Sequence, residues 1–80
     1  MLRLTKHAAE AIEKRNLALD WIDRTITAPD FAETDPHDPV LTRSFKAFDE
    51  AGGRVLRVVH RPEGNDILVI TVHFDRDAKR

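Results

Sequence analysis

The chain has 80 residues, of which 41% are hydrophobic and 34% are charged, which is enough for one domain with one small core. Its 13 basic and 14 acidic residues leave a net charge of −1, which excludes a global attraction to nucleic acid or anionic membrane. Any basic binding site must therefore be local. The sequence has no cysteine, which excludes thiol catalysis and zinc–thiolate sites.

The apolar residues are dispersed along the chain. No run approaches the roughly 18 apolar residues of a membrane-spanning helix. The first four residues lead directly into charged sequence and not into the apolar core of a signal peptide. We therefore expect a cytoplasmic protein with no membrane partner, folded as a single domain over residues 1–80.

The first third of the sequence predicts a helical hairpin over residues 5–28. Thr5 is a suitable N-cap for a first helix over residues 6–15, and Asn16 tolerates the left-handed conformation that ends helices. A second helix is predicted over residues 19–28, because Pro29 disfavours helix in the residue before it. Two helices this short are not stable alone, so the hairpin must pack on the rest of the chain.

The remaining sequence predicts a loop and then a sheet. Residues 31–33 fit a short edge strand, and two prolines within residues 34–40 indicate a loop. Alternating apolar residues over 41–75 predict strands, followed by a short basic tail over 76–80. The predicted fold class is α+β, with an antiparallel helix pair packed on one face of a three- or four-stranded antiparallel sheet.

The turn between the last two strands sets the predicted register. Pro62 and Gly64 fit a three-residue hairpin loop that places Arg61 opposite Asn65. Alternation then predicts one face for the helices, comprising Leu56, Val58, His60, Leu68, Ile70, Val72 and Phe74. The opposite face is predicted to hold Val55, Arg57, Val59, Arg61, Ile67, Val69, Thr71 and His73.

The second of these faces is the strongest candidate site. Guanidinium groups such as those of Arg57 and Arg61 bind phosphate through a planar fork, and an imidazole such as that of His73 transfers protons near neutral pH. Together with Thr71 they suggest a site that binds phosphate or cleaves phosphodiesters. The alternative is structural, because arginines on strands commonly lie over apolar neighbours as solvated covers.

Other polar groups are weaker candidates. His60 is predicted to face Asp66 across the hairpin, either as a catalytic pair or as a simple ion pair. His7 and Glu10 have a spacing that can hold a metal, and residues 35–38 contain further oxygen and nitrogen ligands. No complete ligand set and no glycine-rich phosphate loop is recognisable. We expect no metal and no cofactor.

Three segments of the sequence resemble an uncharacterised bacterial and archaeal family known as a domain of unknown function. They are residues 4–17, residues 21–30, and the strand residues 52–59 together with 70–75. The order of two helices and then a small antiparallel sheet is also similar, more distantly, to the BrnT and RelE toxins of toxin–antitoxin pairs. That resemblance implies a compact α+β domain that cuts RNA with basic residues on its sheet, and an antitoxin-like protein as partner.

The family resemblance also marks individual positions. His7 matches a family histidine and Arg15 a family arginine, whereas His73 lies where relatives have tyrosine or another polar ring. Ala11 departs from a frequent arginine, and Ala18 replaces a serine that would cap the second helix. The resemblance implies either a small metal-independent endoribonuclease or a degenerate relative that no longer cleaves RNA. The candidate catalytic residues are His73, Arg57, Arg61 and His7.

An alternative function is a non-catalytic module that binds another protein through its open sheet face. Two short helices can cover only one face of the sheet, which leaves four apolar residues for a partner, namely Val55, Val59, Ile67 and Val69. A homodimer is the simplest arrangement that covers them, since one patch can meet itself across a two-fold axis. RNA, an antitoxin-like protein and a second copy are therefore the expected partners.

Overall fold

Two helices and a five-stranded mixed sheet make up the α+β fold of this chain. In the computed structural model, residues 1–77 are described, and Lys79 and Arg80 of the predicted basic tail lie outside them. The elements in chain order are β1 (Leu2–Leu4), α1 (Lys6–Arg15), α2 (Leu19–Thr27), β2 (Phe31–Thr34), β3 (Thr42–Phe48), a single 3₁₀ turn (Asp49–Ala51), β4 (Arg54–Glu63) and β5 (Asp66–Asp75).

The sheet has the order β1-β5-β4-β3-β2, and its first strand corrects the predicted fold class. β1 pairs in parallel with β5, so the sheet has five strands and is mixed, not three or four strands that are all antiparallel. The sequence predicts no strand before Thr5. The pairing of β1 depends on distant residues, such as the 3.0 Å hydrogen bond from Ile67 N to Met1 O, and no local pattern reveals it.

The predicted helix boundaries are confirmed closely. Thr5 caps α1, because its hydroxyl accepts a 3.1 Å hydrogen bond from the backbone N–H of Ala8. Asn16 ends α1 in the left-handed conformation, at φ 53°. α2 ends one residue earlier than predicted, and Ala18 provides no side-chain cap at its start. Within residues 1–77, neither helix is long and apolar enough to cross a membrane.

Both helices pack on the same face of the sheet, as predicted. α1 lies against β5 and β1, and α2 lies against β3 and β4. Trp21 of α2 stacks on Phe48 with ring centroids 4.7 Å apart, which closes one end of the core. The buried cluster consists of Ala8, Ile12, Leu17, Ile22, Phe48, Leu56, Val58, Val69 and Val72.

The β4–β5 register differs from the prediction. Glu63 lies opposite Asp66, so the turn contains only Gly64 and Asn65, and Gly64 adopts the positive φ of 60° that such a turn requires. A register shift follows between Val59 and His60. As a result, two residues lie on the opposite face of the sheet from the one predicted. Val69 is fully buried under the helices, and Leu68 lies opposite Arg61 and not on the helix side.

The sheet surface opposite the helices, here called the open face, carries two complete rows across β2, β3, β4 and β5. The first row contains Phe31, Phe45, Arg57 and His73. The second contains Glu33, Arg43, Val59 and Thr71.

The two valines of the open face are already covered within one chain. Val55 and Val59 are only 6% and 5% exposed, although both had been expected to be bare. Val69 belongs to the other face. Arginine, phenylalanine and histidine side chains share the open face with these valines, and long side chains of this kind cover small neighbours. The energetic reason for a dimer through these valines is therefore removed, and the dimer itself stays a prediction.

Candidate active site

A groove of about 370 Å³ runs between α1 and the edge of β5, and we call it the α1–β5 groove. It exists because β1 pairs with β5 only over residues 67–69, after which the chain turns into α1 at Thr5. The second half of β5 therefore forms an edge beside the helix. The groove is lined by His7, Glu10, Ala11, Lys14, Arg15, Thr71, Val72 and His73.

Helical spacing explains which α1 residues reach the groove. Positions three and four apart lie on one face of a helix, so one stripe of α1 faces the groove while Ala8 and Ile12 face the core. Lys14 and Arg15 lie in the last turn, where cations also interact favourably with the helix dipole. The groove thus combines an imidazole with two cations on its helical side.

On the β5 side of the groove, His73 is a half-buried titratable residue. It lies directly across from Arg57 in the β4–β5 ladder. Burial lowers the pKa of His73, and the charges of Arg57 and Arg15 lower it further, whereas the carboxylate of Asp75 opposes them. The protein therefore favours the neutral form of this imidazole at neutral pH.

Arg57 is held beside His73 but is incompletely paired. Its Nη1 lies 3.7 Å from Oδ2 of Asp75, and its side chain is 24% exposed. Its Nε is buried and has no hydrogen-bond partner within the described residues 1–77. An unpaired donor of this kind costs free energy in the folded state.

The structure brings together two of the four predicted catalytic residues and places a third next to them. His7 and His73 line the α1–β5 groove together, although they are 66 positions apart in the sequence. Arg57 adjoins His73. Arg61 is separate, because it lies beyond the register shift, opposite Leu68.

The contacts of Arg61 are local to the hairpin. Its Nη1 donates a 3.1 Å hydrogen bond to the carbonyl of Pro62, and its Nη2 lies 3.8 Å from a carboxylate oxygen of Glu63. We therefore leave Arg61 out of the site. Arg61 does not line the α1–β5 groove, and its role in RNA cleavage stays a prediction.

Lys14 was not predicted as a site residue, and Arg15 entered only through the family resemblance. Basic residues are common in the last turn of a helix, so their sequence position alone does not indicate a site. The signal that could have identified them is their spacing from His7, because residues seven and eight positions further along a helix return to nearly the same face. Only the position of the β5 edge shows that this face borders a groove.

The other histidine candidates have structural roles. His60 does not pair with Asp66, because its Nε2 shares a 2.8 Å hydrogen bond with Oγ of Ser44, which is 1% exposed. Burial lowers the pKa of His60. Asp66 lies instead 3.6 Å from the amino group of Met1.

The loop over residues 35–38 is closed by Asp35. Its carboxylate accepts hydrogen bonds from the backbone N–H groups of His37 and Asp38 and from Nε of Arg43. The bond from His37 is the main cause of the lowered pKa of Asp35, and Arg43 also contributes. No group of three or more histidine, aspartate or glutamate residues within the described part of the chain is arranged to hold a metal ion.

Comparison with known protein families places the sequence in one domain family. The model of the family described as Domain of unknown function (DUF4258) matches residues 4–74. The chain belongs to this family. The match includes both helices, the β4–β5 hairpin and every residue of the α1–β5 groove. No curated protein and no solved structure matches the chain. The more distant likeness to BrnT and RelE toxins stays a hypothesis.

Proposed function

We propose that the protein is a small metal-independent endoribonuclease of the toxin type, with the α1–β5 groove as its active site. One observation carries this proposal: His7 and His73, from opposite ends of the chain, line one groove together with Lys14 and Arg15. Two imidazoles supply a general base and a general acid, and adjacent cations stabilise the charge of a phosphodiester during its cleavage.

The reaction that suits these groups uses the RNA 2′-hydroxyl as nucleophile. The neutral His73 removes the proton from the 2′-hydroxyl, whose oxygen attacks the adjacent phosphorus. The bond from phosphorus to the 5′-oxygen breaks, and His7 donates a proton to that leaving oxygen. The products are a 2′,3′-cyclic phosphate and a free 5′-hydroxyl, so no water or metal enters this step.

The cationic residues have distinct roles in this scheme. Lys14 and Arg15 contact the non-bridging oxygens of the phosphate, where positive charge stabilises the transition state. Burial and, to a smaller extent, the charge of Arg57 favour the neutral form of His73. Because the net charge of the chain is −1, binding depends on this local cluster.

The direct test is cleavage of a labelled single-stranded RNA by the purified protein in the presence of EDTA. We expect His73→Ala and His7→Ala each to lower the cleavage rate by about 100-fold or more, the usual contribution of a general acid or base. His37→Ala is the matched control, because His37 is exposed in the loop and does not line the groove. Its cleavage rate should stay within about twofold of the original protein.

Product ends distinguish this mechanism from metal-dependent cleavage, and the histidine variants distinguish it from a contaminating ribonuclease. Cyclic phosphate ends that appear in EDTA and vanish in both histidine variants support the proposal. Equal cleavage by His73→Ala and the original protein would refute the assigned chemistry. Arg61→Ala serves as a second control, because it removes a guanidinium outside the groove.

The toxin interpretation adds a biological consequence and a partner. Induction of the protein in bacteria should stop growth and deplete RNA, whereas His73→Ala should be tolerated at equal expression. An antitoxin-like protein that covers the groove would then be required in the native host. If the original protein and His73→Ala both stop growth, the toxicity does not depend on RNA cleavage by His73.

A non-catalytic interaction module is the second candidate function. The observation in its favour is β2, an edge strand with all four residues exposed, including Phe31 at 56%. Against it, Phe45, Val55 and Val59 of the open face are already buried within one chain. The groove with two histidines also has no role in such a module, so we favour the ribonuclease.

A further inference from the structure

Phe31 is the exposed end of the open-face row that leads to His73. Its ring is 56% exposed, whereas the neighbouring Phe45 is 8% exposed. The two ring centroids are 5.5 Å apart at an interplanar angle of 39°, so Phe45 supports one side of the Phe31 ring. The other side is open to solvent.

The row places this ring in line with the proposed active site. Phe31 pairs with Phe45, Phe45 with Arg57, and Arg57 with His73, so one residue from each of four adjacent strands contributes. At about 4.8 Å between neighbouring strands, Phe31 lies roughly 14 Å from His73. A stacked single strand advances about 3.4 Å per nucleotide, so this span corresponds to about four nucleotides.

We propose that Phe31 is a base-stacking subsite for single-stranded RNA whose scissile phosphate lies in the α1–β5 groove. This inference rests on the proposed function. Exposed aromatic rings on sheet surfaces bind unpaired bases by stacking, with little dependence on base identity. Phe45 and Arg57 of the same row lie between the ring and the groove, and the intervening nucleotides would pass over them.

A second copy of the chain is a less suitable occupant of this surface. β2 has four residues, and edge pairing over so short a strand buries little area compared with a stable interface. The charged groups beside Phe31 are already used within the chain, since Asp30 accepts a 2.8 Å hydrogen bond from Ala47 N and Glu33 lies 3.4 Å from Arg43. Stacking on a base needs only the exposed ring.

The test measures binding of a fluorescent eight-nucleotide 2′-O-methyl RNA, which cannot be cleaved because its 2′-oxygens are blocked. We expect Phe31→Ala to raise Kd by about 5- to 150-fold, the range of one lost stacking contact. Phe31→Trp should bind at least as tightly as the original protein. Leu19→Ala is the matched control, because Leu19 is also 56% exposed but lies on α2, and its Kd should not change.

Two further probes isolate stacking. An abasic eight-unit sugar–phosphate strand should bind Phe31→Ala and the original protein equally. A 2′-O-methyl dinucleotide, which is too short to reach from the groove to the ring, should also show no difference. A loss of affinity that is the same for the abasic strand would overturn the stacking role.

The outcomes separate this inference from the proposed function. If the original protein binds the eight-nucleotide RNA and Phe31→Ala binds it within twofold, the subsite is refuted and the ribonuclease proposal stands. If the original protein does not bind it at all, and does not cleave unmodified RNA, both proposals fail. If Phe31→Ala leaves RNA binding unchanged but abolishes self-association in sedimentation, the ring belongs to a protein interface.

Discussion

At the residue scale, the two half-buried histidines show how one side chain type serves different purposes. His60 lies on the helix side of the sheet and is tied to the buried hydroxyl of Ser44. His73 lies on the open face beside Arg57 and borders a groove. Burial lowers the pKa of both. Their surroundings thus make His60 a structural residue and His73 a candidate general base.

The lowered pKa values predict how stability depends on pH. Because both histidines titrate below the ordinary value of 6.5 in the folded state, the unfolded chain binds more protons as pH falls through that value. The free energy of unfolding should therefore decrease from pH 8 to pH 5.5. His60→Gln removes one of the two titrations, so its decrease over this range should be smaller than that of the original protein.

Urea unfolding at a series of pH values measures this effect. His37→Ala is the control, and its pH dependence should match that of the original protein. The range stays above pH 5 because the lowered pKa of Asp35 acts in the more acidic region, where protonation of that carboxylate removes its contribution to stability. A stability that rises on acidification from pH 8 would contradict the assignment.

Residue alternation explains why the sequence predicted part of the site and missed the rest. Over the pairs from Val55 to Val59, the observed β4–β5 register differs from the predicted one by four residues. Because four is an even number, Arg57 and His73 were predicted on the correct face. Between the register shift at Val59 and His60 and the turn, the difference is three residues. An odd difference exchanges the faces, which is why Val69 was wrongly assigned to the open surface.

At the element scale, Thr5 joins β1 to α1 and decides where the groove begins. Its hydroxyl accepts from Ala8 N at 3.1 Å and donates to the carbonyl of Ile70 at 2.9 Å. Its own backbone N–H bonds to Val69 O at 3.1 Å. One residue therefore caps the helix and anchors it to β5 just before that strand becomes an edge.

Replacement of Thr5 tests this junction. Thr5→Ala loses a helix cap and a cross-element hydrogen bond, so it should lower the free energy of unfolding by about 2 kcal/mol. Thr5→Ser keeps both bonds and should lose much less. Thr27→Ala is the control, because its exposed hydroxyl only donates to Asp23 O one turn back, and its effect should be within about 0.5 kcal/mol.

Denaturant melts of the three variants at one pH compare these changes. A Thr5→Ala loss no greater than that of Thr27→Ala would show that the junction contributes nothing beyond an ordinary exposed hydroxyl. The cap itself was predictable, because Thr5 precedes a helical pattern. The bond to Ile70 was not, since it joins residues 65 positions apart.

At the scale of the whole molecule, the missed strand explains most of the difference between the expected and observed architecture. Leu2 and Leu4 alternate as in a strand, but three residues are too few to distinguish this pattern from a helical stripe. Adding β1 to the sheet covers residues 67–69 of the β5 edge and leaves the later residues of that edge without a neighbouring strand. The α1–β5 groove is a consequence of that short pairing, so it could not be foreseen without β1.

At this scale, self-association through the open face can be tested by substitution of Val59. On a bare surface, Val59→Asp would separate a dimer and leave the fold intact. In this structure Val59 is 5% exposed within a single chain, so the aspartate would be placed in a buried site. Its free energy of unfolding should fall by about 3 kcal/mol or more, because burying an unpaired charge is among the most destabilising single changes.

Val40→Asp is the matched control, since Val40 is 61% exposed and the same change there should alter stability by no more than about 0.5 kcal/mol. Chemical unfolding at two protein concentrations measures both variants, and sedimentation reports their mass. We expect the Val59→Asp loss to be independent of protein concentration, because it arises inside one chain. A Val59→Asp protein that keeps its full stability and only changes from dimer to monomer would instead restore the interface predicted from the sequence. That result would also require the open face to reorganise on dimerisation, because the valine is otherwise inaccessible to a partner.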